Sequence, residues 1–442
     1  MKDILSLAER SVPRYTSYPT APHFTSAVDA KTYADWLAEV PADARLSLYL
    51  HVPYCTHICL YCGCNTKAAR QRDPIDLYAC RLLDEIWLHE QAVGRRPITH
   101  VHWGGGTPSI LSEHWLTGIA ERLADAFDLA AIDEHAIELD PRQMSKQLAR
   151  TLAAIGVNRV SLGVQDFSPH VQQAIGRIQP FGQVEHAVEW LREAGIDRIN
   201  IDLMYGLPHQ TVADAARSAE LAASLAPQRL ALFGYAHVPW LKTHQRLIDE
   251  ASLPGASERL AQARVAEDVL CANGYVAIGL DHFARPGDSL AEAARAGTLR
   301  RNFQGYTTDA SDALIGLGAS AIGRLPQGFV QNAPDIAGYS RAVEARRFAT
   351  VKGIALSADD RLRGAIIERL MCDLAVDLDR IAPGEDFSAE LESVNDLAAK
   401  GVVEVAGRRI AITDAGRPFL RLVAAAFDAY LPANRARHSI AV

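Results

Sequence analysis

The stretch HVPYCTHICLYCGCN, residues 51–65, holds four of the chain's seven cysteines within ten positions. Cys55, Cys59 and Cys62 are spaced by three and then two residues, and Cys64 follows. Three closely spaced thiolates on one loop can hold three irons of a [4Fe-4S] cluster and leave the fourth open to an exogenous ligand. The same cysteines also allow a zinc site of four thiolates, or of three with His57. Structural zinc sites usually pair two knuckles separated in sequence, and no second knuckle follows here. Cys62 and Cys64 flank a single residue, so a special turn would be needed for both to face one cluster. Cys64 is therefore expected to be an accessory thiol rather than a ligand. Cys80, Cys271 and Cys372 lie in helical apolar patterns and are expected in the core.

Outward from this stretch, β-rich runs recur at 46–52, 101–103, 136–139, 159–164, 199–204, 230–235 and 276–280. Helical periodicity fills the intervals at 75–90, 113–127, 144–155, 183–194, 213–225 and 258–273. Strands alternating with helices imply βαβ units and a parallel sheet. Gly156, Gly195 and Gly274 each stand between a helix and a strand, where a left-handed cap is expected. The repeat predicts a partial (β/α)6-type barrel with its site at the C-terminal strand ends. Polar and glycine-rich residues gather at those ends: the cysteine loop, GGGTP at 104–108, Glu138 and Asp140, Gln165 and Asp166, Asp202, and Tyr235 with His237. Glycines let a backbone approach a ligand closely, although a tight turn also accounts for GGGTP.

With 49% hydrophobic and 22% charged residues over 442 positions, the chain has globular composition, and disorder is excluded for most of it. The formal net charge of −8 gives no global reason to seek nucleic acid or anionic lipid. No apolar run approaches the ~20 residues that span a bilayer. The charged N-terminus does not read as a signal peptide, so a cytoplasmic protein without a disulfide framework is expected. Beyond residue 340, helices at 361–374 and 389–400, strands at 402–405 and 409–412, and a final helix at 414–430 read as a mainly helical, winged-helix-like domain. Residues 341–442 carry fifteen Lys/Arg and fifteen Asp/Glu, a balance that disfavours nucleic-acid binding. The expected division is an N-terminal extension over the site (1–40), a barrel (41–335) and the C-terminal domain (340–442).

The cysteine spacing after the first strand, with GGGTP after the second, resembles the radical S-adenosylmethionine (radical SAM) superfamily. VPRYTSYPT (12–20), CGCN (62–65), IELDPR (137–142), LGVQDF (162–167), INIDLMYGLP (199–208), YAHVPW (235–240), GLDHFA (279–284) and NFQGYTT (302–308) resemble the oxygen-independent coproporphyrinogen III oxidase family. The resemblance implies a [4Fe-4S] cluster on Cys55, Cys59 and Cys62, with one SAM chelating its open iron. Tyr49, Gly105, Glu138 and Ile322 match the positions that hold this SAM. A second SAM is implied at Tyr61, Gly106, Thr107, Gln165, Arg177, Asp202 and Ala236. The chemistry of these residues agrees. Glu138 and Asp202 can accept from an ammonium or from ribose hydroxyls, or can simply cap the next helix. Gln165 and Arg177 can grip a carboxylate, or can form a polar rim. Arg14, Arg300 and Arg301 are candidates for substrate propionates, since guanidinium pairs well with carboxylate. The implied reaction is oxidative decarboxylation of coproporphyrinogen III to protoporphyrinogen IX, with an unidentified electron donor and acceptor. A monomer without nucleic-acid or membrane partner is expected.

Overall fold

The computed structural model describes residues 6–431. After a first helix α1 (Ala30–Ala38), six parallel strands follow: β1 (Leu46–Val52), β2 (Ile98–Gly105), β3 (Glu134–Leu139), β4 (Arg159–Gln165), β5 (Arg198–Tyr205) and β6 (Arg229–Gly234). The crossovers run through α2 (Asp73–Val93), α3 (Glu113–Ala126), α4 (Lys146–Ala154), α5 (Phe181–Glu193) and α6 (Val212–Ser224), and α7 (Ala256–Ala272) follows β6.

The period of two along each strand decides what faces the interior. In β1, Leu46, Leu48, Leu50 and Val52 join the main core, while Tyr49 and His51 turn to the other face and line a cavity. In β2 the core takes Val101 and Trp103, and the cavity side takes His100 and His102. In β5 it takes Ile199, Ile201 and Leu203, and leaves Asn200 and Asp202 facing inward. Helices cover one face of the sheet, so the polar residues of the other face converge on the barrel interior. Its floor is closed by ion pairs, Arg159 Nε to Glu134 at 2.7 Å and Arg229 Nε to Asp288 at 2.6 Å.

The sheet extends beyond the six repeats. β7 (Val276–Ile278) and β8 (His282–Ala284) continue it past β6, both antiparallel. The periodicity predicts a single strand over 276–280. Gly279 breaks it at φ 54°, and a Cβ there would lie 2.0 Å from the Tyr306 ring. After α8 (Ser289–Ala296), β9 (Arg300–Asn302) and β10 (Gly305–Thr307) form a separate hairpin. β11 (Ala313–Leu317) then adds a seventh parallel strand beside β1, and β12 (Ile322–Leu325), β13 (Gly328–Asn332) and, after α9 (Ile336–Glu344), β14 (Thr350–Ala355) follow antiparallel. The order is β14-β13-β12-β11-β1-β2-β3-β4-β5-β6-β8-β7. Gly156, Gly195 and Gly274 adopt φ of 83°, 89° and 83° at the expected helix ends.

The last part contains α10 (Ala358–Asp373), β15 (Ala375–Asp377), α11 (Leu378–Ile381), α12 (Ser388–Ala398), the hairpin β16 (Val403–Ala406) and β17 (Arg409–Ile412), and α13 (Leu420–Ala425). The helix expected over 414–430 is only the six residues of α13, preceded by a 3-10 turn at Arg417–Phe419. Pro418 has no N–H to donate to a continuous helix. Leu7, Ala8, Val12, Tyr15 and Tyr18 pack into the core of this C-terminal part. Tyr15 donates to Asp428 Oδ2 at 2.9 Å, and the Ala429 N–H donates to the Tyr18 hydroxyl at 3.0 Å. The N-terminal segment is thus a strap bound to the C-terminal domain. Among the described residues, no helix is long and apolar enough to cross a membrane.

Candidate active site

The cysteine loop leaves β1 and is held from several sides. Lys67 N–H donates to Pro53 O at 2.9 Å, and Leu60 N–H to Ile175 O at 3.0 Å. The segment after β6 reaches over it: Lys242 Nζ donates to Cys64 O at 2.8 Å, His244 Nε2 lies 2.7 Å from Cys62 O, and Gln245 Nε2 donates to Tyr61 O at 2.8 Å. The sulfurs have their own polar neighbours. The Thr66 and Thr107 hydroxyls lie 3.4 Å from Cys55 Sγ. Arg177 Nη1 and Arg142 Nη2 lie 3.4 and 3.7 Å from Cys59 Sγ. Burial pushes the Cys55 thiol up, and the charges of Cys62 and Cys59 add to this. The Cys62 thiol is pulled down, chiefly by a hydrogen bond from the Cys64 thiol, with help from the Cys64 backbone and from His244 and Lys242. The chemistry of this donor set fits an anionic iron–sulfur group: thiols on one loop, ringed by hydroxyl and guanidinium donors.

Two cavities open on the inward face of the sheet. The smaller, of about 180 Å³, is lined by Tyr49, His51, Glu138, Phe303, Gln304, Ser320 and Ile322. Three of the four residues expected around the first SAM therefore share one wall set. The fourth, Gly105, donates its N–H to Glu138 Oε2 at 3.3 Å. Glu138 Oε1 also lies 3.0 Å from His102 Nε2. Burial works to raise this carboxyl, yet the His102 hydrogen bond and charge and the Gly105 N–H hold it below its usual value. Tyr49 and His51 are joined at 3.0 Å, and His51 reaches Asn65 O at 3.0 Å. The larger cavity, of about 230 Å³, runs into the barrel; Glu138, Asp202, His282, Asn302 and Gln304 are among its walls. Asp202 accepts from Ser161 at 2.9 Å and Asn200 at 2.8 Å, and burial with the Glu138 charge raises it to about 6.

The glycines of GGGTP make room for protein groups. A Cβ at Gly104 would sit 2.8 Å from Glu138 Oε1, one at Gly105 2.8 Å from the His51 ring, and one at Gly106 2.5 Å from Tyr54 O. Gly105 adds a φ of 112°. The residues expected around a second SAM form a looser set. Thr107 and Arg177 touch cysteine sulfurs, Gln165 turns at φ 72° beside Gly163, and Asp202 faces the larger cavity. Gln245 joins two of the others, donating to Tyr61 O and, at 3.3 Å, to Ala236 O. Sequence reasoning missed Gln245, His51, His102, Arg142 and Gln304. Only the two histidines had a signal, their place on the inward phase of β1 and β2. Of the cysteines expected in the core, Cys372 is buried, Cys80 is half-buried and Cys271 on α7 is exposed. His57 is exposed as well. Arg300 is half exposed and pairs with Glu368 at 3.0 Å, away from the cavities, whereas Arg301 is buried.

Residues 49–222 match the radical SAM superfamily and residues 356–419 the HemN C-terminal domain. The chain is 49% identical to an oxygen-independent coproporphyrinogen III oxidase of Bradyrhizobium diazoefficiens over 99% of both chains, and 44% identical to one of Paracoccus denitrificans over 96% of both. It belongs to the oxygen-independent coproporphyrinogen III oxidase family. The solved structure of coproporphyrinogen III oxidase (HemN) from Escherichia coli, a radical SAM enzyme, superposes with a TM-score of 0.89 at 36% identity, covering 95% of this chain and all of that one. Membership of this family implies a [4Fe-4S] cluster and SAM.

Proposed function

We propose that this chain performs the oxygen-independent oxidative decarboxylation of coproporphyrinogen III in haem biosynthesis, converting two propionates to vinyl groups to give protoporphyrinogen IX. The carrying observation is a loop with Cys55, Cys59 and Cys62 whose Asn65 carbonyl meets His51, in the wall of a cavity also lined by Tyr49, Glu138 and Ile322, in a chain that matches oxidases of this name from end to end. When bound, the cluster and SAM would supply the one-electron radical chemistry that hydrogen abstraction from a propionate needs.

The protein's part is to hold and enclose. Cys55, Cys59 and Cys62 supply three sulfur ligands, and Cys64 remains outside the set. Thr66, Thr107, Arg142 and Arg177 stabilise negative charge on those sulfurs. Glu138, held ionised by His102, would accept from the ammonium of a first SAM, with Tyr49, Gly105 and Ile322 around it. A second SAM would be held by Tyr61, Gly106, Thr107, Gln165, Arg177, Asp202 and Ala236. Gln245 supports that reading, because it fixes the Tyr61 and Ala236 carbonyls together. The electron donor and acceptor are separate partners.

The test is an anaerobic incubation of the reconstituted protein with coproporphyrinogen III, SAM and reductant, followed by chromatography. The divinyl product is expected. Its absence from protein with full iron and sulfide content overturns the reading. Equilibrium dialysis with labelled SAM checks the second site: two equivalents bind the unaltered protein, and Asp202→Ala retains one.

A further inference from the structure

We propose that Arg14, Arg301 and Arg421, drawn from three distant parts of the chain, form a carboxylate-binding site for the substrate propionates that the reaction leaves intact. This inference rests on the functional reading above.

The three arginines come from the N-terminal strap, from β9 and from α13. Arg301 Nη2 lies 3.5 Å from Arg14 O, and Arg421 Nη1 lies 3.3 Å from Val12 O, two residues along the same strap. Arg14 Nη2 donates to Gly234 O at 3.1 Å, at the end of β6. Asp281 is the carboxylate that all three feel. Arg301 Nη1 is 3.9 Å from it, and the Arg301 guanidinium lies 4.4 Å from the centre of the Tyr306 ring. The side chain of Arg301 is only 6% exposed, yet its Nε and Nη1 make no hydrogen bond.

Asp281 brings one negative charge to three guanidinium groups, and burying the excess positive charge is costly. Burial pulls Arg421 down to about 10, and the neighbouring charge of Arg14 adds to this. Burial also lowers Arg14, although that residue is solvent-exposed. Arg14 is the member of the group that water, and so a carboxylate, reaches. A carboxylate entering there would meet the unbonded N–H groups of Arg301 and offset the charge.

The arginines neighbour the reaction site through the elements that carry them. The hairpin that carries Arg301 also carries Phe303 and Gln304, which line the smaller cavity with Tyr49, Glu138 and Ile322. Asp281 is joined at 2.7 Å to His282, which lines the larger cavity. A tetrapyrrole anchored at the arginines therefore has its ring at the cavity mouth. Which propionates they hold follows from charge. Loss of carbon dioxide removes a carboxylate's charge, and guanidinium pairing would stabilise the starting state against it. The arginines suit carboxylates that stay.

The test is a spectroscopic titration of the anaerobic reconstituted holoenzyme with coproporphyrin III, its tetramethyl ester and protoporphyrin IX. Protoporphyrin IX retains only the propionates that do not react. Arg421→Met and Arg14→Gln are expected to weaken both acids about tenfold or more and to leave the ester unmoved. Arg300→Gln is expected to bind all three as the unaltered protein does. Loss of coproporphyrin III alone would assign the arginines to the reacting propionates and overturn the proposal. Equal weakening of the ester, or no weakening of either acid, would overturn it too. If Arg421→Met does not fold, the exposed Arg14 carries the same comparison. The titration needs neither SAM nor reductant, so its failure is separate from failure of the decarboxylation assay.

Discussion

Cys62 and Cys64 stand two positions apart, and the proposed ligand set takes only the first. Cys55→Ser, Cys59→Ser and Cys62→Ser are each expected to lose the iron–sulfur absorption near 400 nm after anaerobic reconstitution, whereas Cys64→Ser keeps it. A full iron complement in any of the first three would refute the ligand assignment. A second residue-level prediction concerns Glu85 on α2, whose carboxylate accepts from Gly318 N at 2.6 Å and from Asn332 and the Tyr339 hydroxyl at 2.8 Å. It is fully buried, and burial raises it from 4.5 to about 7 despite those donors. A raised carboxyl favours the protonated folded state, so its contribution is complete below about pH 4.5 and is lost as pH rises through about 7. Relative to Glu85→Gln, the unaltered protein is expected to lose up to about 3 kcal/mol between pH 5 and 8 in denaturant titrations. Parallel stability curves for the two proteins would remove the argument. Site residues were legible where local pattern and chemistry coincide, as in the cysteine spacing and Glu138. Arg421 was not, because it sits in the apolar run 420–427 and finds Val12 across 409 residues.

The strands whose alternation could be read were the long ones between helices. In β1, LSLYLHV shows directly which residues turn inward. By contrast, β11 is buried at every position, and β12 and β13 are short antiparallel strands with glycines among them. Gly316 is needed because a Cβ would lie 2.8 Å from the Ile322 carbonyl carbon. No period marks such a segment. The helix expected over 361–374 begins earlier, at Ala358, where a cap starts it. Ser357 accepts from Asp360 N at 3.0 Å, and its own N–H donates to Asp360 Oδ2 at 2.9 Å, a reciprocal cap for α10. Ser357→Ala is expected to cost about 1 kcal/mol in equilibrium unfolding. Asp360 also accepts from the Tyr430 hydroxyl at 2.8 Å, so an unchanged midpoint would mean that this contact alone anchors the helix start.

Across the molecule, the N-terminal strap and the C-terminal domain share one core, which also sets Arg14 beside Arg421. The Tyr15–Asp428 hydrogen bond is buried and has an ionisable acceptor. Its removal in Tyr15→Phe is expected to lower stability by about 2 kcal/mol and to hasten proteolytic cleavage of the strap. Cleavage at the unaltered rate would show that the apolar contacts of the strap suffice.

Tyr15 meets its acceptor 413 residues further along the polypeptide. During synthesis on the ribosome the strap therefore waits, undocked, until almost the whole chain has emerged. A nascent protein can expose its thiols to the machinery that loads iron and sulfide while it still has no grip on a tetrapyrrole. In that order, loading of the thiols can precede the docking of the strap.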